Sequence, residues 1–163
     1  VSITNGQDPT TEGDIPVYGS GAASFKTCGE YKVGPTVLIG RKGATLHIPH
    51  YITGKYWNVD TAFDVHIKDD VEFNLKFYYY LAVCFDYKCY ISATTLPSMT
   101  QSIYNNMFIT NPLLSEQKQI VEYLDNKCIE IDSVIARKQA IVEKLTEYKK
   151  SLIYEVVTGK KEV

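Results

Sequence analysis

The sequence predicts a mixed α+β (α/β) domain followed by one long C-terminal α-helix. Three observations carry that prediction. Before Pro112, short β-rich runs are punctuated by glycine and proline. After Pro112, apolar residues recur near a 3.5-residue period, and the next glycine is Gly159. The 163 residues are 45% hydrophobic and 22% charged, enough chain to bury one sizeable core and too apolar to remain disordered.

Taken in order, residues 15–18, 36–39, 44–48 and 62–67 read as strands, bounded by Pro35, Gly40, Gly43, Pro49 and Gly54. Asn74 is a suitable N-cap. After it Phe77, Tyr80, Leu81, Cys84 and Phe85 recur at steps of three and four, which predicts a helix. A second short helix is expected over 101–106, capped by Thr100 or Ser98. Residues 1–112 are therefore one compact domain, and 113–163 the helical segment.

In that segment Ser115 is the expected N-cap, and Glu116 places a negative charge in the first turn. The apolar seam runs through Val121, Leu124, Cys128, Ile131, Ile135, Val142, Leu145, Leu152 and Val156, and Ile120 widens it. Residues 115–157 make about 65 Å of helix at about 1.5 Å per residue. A 112-residue domain cannot cover such a length, and the sequence holds no second long helix. A coiled coil between chains is the expected burial, with Ile120, Leu124, Ile131, Ile135, Leu145 and Leu152 at the interface.

Charge narrows the function classes. Lys and Arg number 17 against 19 Asp and Glu, a net charge of −2. Pro112 separates 8 basic and 10 acidic residues from 9 of each. Any contact with nucleic acid must be local or shared with a more basic partner, which disfavours a stand-alone DNA clamp. The longest apolar run, residues 77–85, falls far short of the roughly 20 residues that span a bilayer, and no leader pattern opens the chain. Cys28, Cys84, Cys89 and Cys128 show no paired spacing and read as free thiols of a reducing compartment. The expected location is the cytoplasm, with no membrane contact.

No catalytic constellation emerges. There is no phosphate-cradling glycine loop ahead of Lys-Ser/Thr. His47, His50 and His66 lack the Cys or carboxylate partners of a metal site. Asn111-Pro112-Leu113-Leu114 lacks the aromatic that would stack on a flipped base. The expectation is a non-catalytic chain with no metal and no cofactor of its own. What remains suits contact. Arg41 and Lys42 sit between Gly40 and Gly43, able to meet a phosphate or a guanine edge. Tyr18 and Ser20 offer a ring and a hydroxyl on a second loop. Lys55 and Asn58 flank Tyr56-Trp57, and Ser98, Thr100 and Gln101 add a third polar loop. The same features suit a coiled-coil dimer that presents an aromatic-rich face to a protein or small ligand.

Several stretches resemble the specificity subunits of Type I restriction–modification enzymes. Ile15-Pro16-Val17-Tyr18-Gly19-Ser20-Gly21, Val37-Leu38-Ile39-Gly40-Arg41-Lys42-Gly43 and Trp57-Asn58-Val59-Asp60-Thr61-Ala62-Phe63 are similar to that family's target recognition domain, which Leu96-Pro97-Ser98-Met99-Thr100-Gln101 closes. Leu114-Ser115-Glu116-Gln117-Lys118-Gln119-Ile120 resembles the opening of the family's spacer helix, and Tyr148-Lys149-Lys150-Ser151-Leu152-Ile153 its close. Leu113 departs from the family pattern, which has a second proline there. The resemblance implies a half-length subunit: one recognition domain (1–112) on double-stranded DNA and one spacer helix (113–163) pairing antiparallel in a homodimer. It further implies methyltransferase and restriction subunits as partners, with S-adenosylmethionine and ATP bound only by them.

Overall fold

The computed structural model describes residues 1–21, 23–91 and 96–162. Packing divides the chain into two units, Val1–Val121 and Glu122–Val163. The first contains two four-stranded sheets and the short helices; the second is the greater part of one long helix.

The first sheet contains β1 (Ser2–Asn5), β5 (Thr36–Gly40), β6 (His50–Ile52) and β8 (Ala62–His66), in the order β1-β8-β5-β6 and antiparallel throughout. The second contains β2 (Ile15–Tyr18), β3 (Lys26–Cys28), β4 (Lys32–Val33) and β7 (Lys55–Asn58), in the order β3-β2-β7-β4. Its central pair β2–β7 is parallel, with Val17 opposite Trp57 and Tyr18 opposite Asn58. The expected strands at 15–18, 36–39 and 62–67 are present to within a residue.

Strand alternation sorts the faces of the first sheet. Phe63 and Val65 on β8, with Val37 and Ile39 on β5, join Ile3, Tyr78, Ala82, Tyr87, Met99 and Tyr104 in the main core. A smaller core gathers Val17, Cys28 and Val59 beside Ile15 and Trp57. Over it runs the segment after β1, whose Gln7 carbonyl accepts from Trp57 Nε1 at 2.8 Å.

Residues 44–48, expected as a strand, form a turn instead. Their alternation of small, polar and apolar residues mimics a strand, but Leu46 N donates to Gly43 O and Ile48 N to Thr45 O. The turn drives Leu46, only 1% exposed, into the main core. It lies so close to the end of β5 that a Cβ on Gly40 would come within 2.2 Å of the Leu46 backbone.

Helix α1 (Leu75–Cys84) starts where expected: Asn74 Oδ1 accepts from the backbone N–H groups of Lys76 and Phe77. Its buried face differs from the expected stripe. Phe77, Tyr78 and Ala82 are buried, Tyr80 and Leu81 are half-buried, and Cys84 is exposed. Three consecutive tyrosines give the helix more than one apolar face. The chosen face pairs Tyr78 with the small Ala82 one turn on, which lets α1 pack against β5. Helix α2 (Gln101–Asn105) is capped by Thr100, whose Oγ1 accepts from Ile103 N at 3.2 Å.

Helix α3 (Leu114–Val157) has 44 residues, or about 66 Å at 1.5 Å per residue. It starts one residue before the expected point: the Leu113 carbonyl already accepts from Gln117 N, so Ser115 lies inside the first turn and not at the cap. Gln117 is fully buried and ties this turn to the start of α1 and to the segment just ahead of α3. Its Oε1 accepts from Asn74 N at 2.8 Å, and its Nε2 donates to Asn111 Oδ1 at 3.0 Å and Pro112 O at 2.9 Å. Beyond Val121 the seam is uncovered within one chain. Ile131, Ile135 and Leu145 are exposed, and Leu124 and Leu152 are half-buried. Ile120, in the first unit, is also half-buried.

Candidate nucleic-acid interface

Four connecting segments of the first unit meet at one place. β5 runs into Arg41-Lys42-Gly43, β2 into Gly19-Ser20-Gly21, β7 into the Asp60-Thr61 turn, and residues 96–101 lead into α2. Because β2 and β7 are parallel, their C-terminal ends arrive side by side, and Val59 N donates to Tyr18 O at 3.0 Å.

Backbone bonds then fix the loops to each other. Arg41 N donates to Thr61 O at 2.8 Å, Met99 N to Arg41 O at 2.8 Å, and Gly43 N to Pro97 O at 2.9 Å. Lys42 and Ser98 form an isolated antiparallel bridge. Ser20 Oγ donates to Lys42 O at 2.7 Å. Gly43 has a φ of +122°, and a Cβ there would lie 2.7 Å from Ser20 Oγ, so this turn demands glycine. Tyr18 stands against His50 with centroids 5.8 Å apart, and His50 Nε2 lies 2.6 Å from Gly21 O.

Five of the residues expected to meet DNA therefore come together. Arg41, Lys42, Ser98, Thr100 and Gln101 line one cleft of about 350 Å³, with Asn5 on its rim and Phe63 and Met99 as a buried apolar floor. Ser20 braces the cleft through Lys42, and Tyr18 ends β2 just ahead of that loop. Not every group is free to read a ligand. Thr100 Oγ1 caps α2, and Gln101 Nε2 donates to Ile3 O at 2.7 Å.

Two expected residues lie elsewhere. Lys55 opens β7, with its ammonium 4.1 Å from the centre of the Tyr31 ring. Asn58 has no exposed surface: its Oδ1 accepts from Lys32 Nζ at 2.8 Å and its Nδ2 donates to Ala62 O at 3.1 Å. The surface amide expected at Asn58 is corrected to a structural one. Alternation along β7 turns Tyr56 and Asn58 inward and leaves Lys55 outside.

The sequence reading missed Asp60. Its Oδ2 lies 2.8 Å from Lys42 Nζ and 3.3 Å from Arg41 Nη1, which also donates to the Asp60 carbonyl at 3.0 Å. The two cations of the loop thus share one carboxylate, and the local charge is +1. A lone acid in a turn carries no signal in a sequence, and only the approach of the β7–β8 turn to the end of β5 reveals the triad.

A second cluster lies beneath. Asp64, buried on β8, receives Lys32 Nζ at 3.0 Å, Tyr56 OH at 2.8 Å, His66 Nε2 at 3.0 Å and the Thr36 hydroxyl. Burial by itself would raise the Asp64 pKa. The bonds from His66, Thr36, Lys32 and Tyr56 outweigh it and hold the carboxyl well below the usual carboxylate range. Burial first, then the hydrogen bond to Asp64 and its charge, push the Tyr56 hydroxyl up. Since β8 and β5 belong to one sheet and β4 and β7 to the other, this cluster joins the two sheets. Among the described residues no group of three or more His, Cys, Asp or Glu side chains is placed to hold a metal ion, and no helix is long and apolar enough to cross a membrane.

Hydrogen-bonded loops thus surround a polar cleft in the first unit. The family model of the Type I restriction modification DNA specificity domain matches residues 2–144, and the chain belongs to that family. The fold is similar to the crystal structure of a Type I restriction–modification system S subunit from M. genitalium, with a TM-score of 0.66 at 16% identity over 83% of this chain and 38% of that one. It is also similar to a chain solved for complex assembly and conformational transition of the type I R-M system, with a TM-score of 0.73 at 19% identity over 94% of this chain and 42% of the other. The chain thus spans about two-fifths of the length of these structures. No curated protein matches it in sequence.

Proposed function

We propose that this chain supplies DNA sequence choice to a Type I restriction–modification system without itself catalysing a reaction. In this reading residues 1–112 recognise half of a bipartite target in double-stranded DNA. Residues 113–163 form the spacer helix, which pairs antiparallel with that of a second copy and offers a scaffold to methyltransferase and restriction subunits. S-adenosylmethionine and ATP would be held by those partners and not by this chain. The family match over residues 2–144 carries the reading. The cleft of Arg41, Lys42 and Ser98 supports it, since cations and hydroxyls can meet phosphates and base edges. The net charge of −2 agrees with partner subunits that supply much of the affinity for the duplex.

The test is a methylome of the source cell with and without the gene. Loss of adenine methylation at one interrupted motif is the expected result, and a palindromic motif is expected from a homodimer of half-subunits. An unchanged methylome favours a coiled-coil interaction protein instead.

The homodimer has its own test. Light scattering on a variant carrying Leu124→Asp, Ile131→Asp and Leu145→Asp should report a monomer, because two of these three side chains are exposed in the single chain and all three lie on the seam. A variant that remains dimeric refutes pairing through α3.

A further inference from the structure

We propose that Asp60 sets the discrimination of the recognition cleft by competing with DNA phosphate for Arg41 and Lys42, an inference that rests on the DNA-reading role proposed above. The geometry supplies the argument. Both cations converge on one carboxylate oxygen, at 2.8 and 3.3 Å, and all three side chains remain between 37% and 47% exposed. At that exposure water and salt screen the pairs, so a phosphate that reaches the loop can displace the carboxylate. The backbone of the loop does not depend on it. Arg41 and Lys42 are held by bonds from their amides to Thr61 O, from Met99 N to Arg41 O, and from Ser20 Oγ to Lys42 O. Asp60 therefore governs where the two charges point and how many are free, while the position of the loop is set elsewhere.

Phosphate contacts supply affinity with little regard to sequence, whereas base edges supply choice. A carboxylate that occupies both cations makes every non-specific encounter give up an ion pair before it gains one. Encounters that also satisfy the Ser98 side of the cleft recover that loss. Asp60 is thus a positioning residue whose charge lowers the sequence-independent part of binding.

The experiment measures binding of the full chain to a duplex of mixed sequence, about 30 base pairs long, by fluorescence anisotropy across a range of salt. Asp60→Asn should bind about three- to tenfold more tightly at low salt, and the slope of log K against log salt should steepen by about 0.9, the equivalent of one further phosphate contact. Asp60→Glu should behave as the native chain does. Asp60→Ser repeats the test should the asparagine variant melt early. Should Asp60→Asn bind equally or more weakly while Arg41→Gln with Lys42→Gln weakens binding, the inference is overturned and the DNA-reading loop stands. If neither variant changes affinity or slope, the loop is not a DNA contact, and the inference falls together with the part given to this loop in DNA reading.

Discussion

Asp60 and Asp64 lie close in sequence, one in the turn before β8 and the other in its middle, and both face cations. Asp64 is wholly buried and carries four side-chain partners drawn from both sheets; Asp60 is half exposed and is shared by two neighbouring side chains of one loop. The same ion-pair chemistry is structural in the first place and exchangeable in the second. What separates them is solvent. A buried carboxylate cannot release its partners without leaving them unsatisfied, whereas an exposed one can hand them to a ligand.

The sharpest way to break this comparison is Asp64→Ala. It strips Lys32, Tyr56 and Thr36 of their common acceptor, and a loss of about 3–5 kcal/mol is expected in urea unfolding. A loss below about 1 kcal/mol would place Asp64 in the same class as Asp60.

Acid gives a smaller effect of the same origin. The pKa of Asp64 is depressed by folding, so its contribution is present above the ordinary carboxylate value of about 4 and is lost as pH falls below it. Glu30 adds to the same limb. The Thr10 hydroxyl first, then the Thr10 amide and Thr11, hold its carboxyl at about 2. Asp64→Ala should flatten part of the fall in stability between about pH 4 and pH 2 and leave the Glu30 share. Asp60→Asn should leave that limb unchanged and shift stability at neutral pH by no more than about 1 kcal/mol, as exposed pairs do.

The contrast also marks what the sequence alone could deliver. The long helix and the strands around Val17, Leu38 and Asp64 were legible, because a period of 3.5 and short runs between glycines are local signals. Arg41, Lys42, Ser98, Thr100 and Gln101 could be named as polar loop residues, but that they line one cleft follows from the Lys42–Ser98 bridge, which joins distant segments. The short strands β3 and β4 exist only through their partners β2 and β7. Asn58 misled for a related reason. Its amide is a good reader in isolation, but it is buried and bonded to Lys32, 26 residues away, a pairing the sequence does not reveal. Asp60 and Asp64 could not be told apart at all, since exposure was the deciding variable.

One buried amide also bears on how such a chain can be recombined. Composition changes at Pro112, yet Gln117, five residues further on, hydrogen-bonds back to Asn74 at the head of α1, and the compact unit runs to Val121. An exchange of the first unit cut at Pro112 would separate Gln117 from Asn111, whose Oδ1 accepts from its Nε2, and from the Asn74 amide. A cut after Val121 inherits them together. The boundary between the two compact units therefore falls inside the helix, about two turns past its first residue.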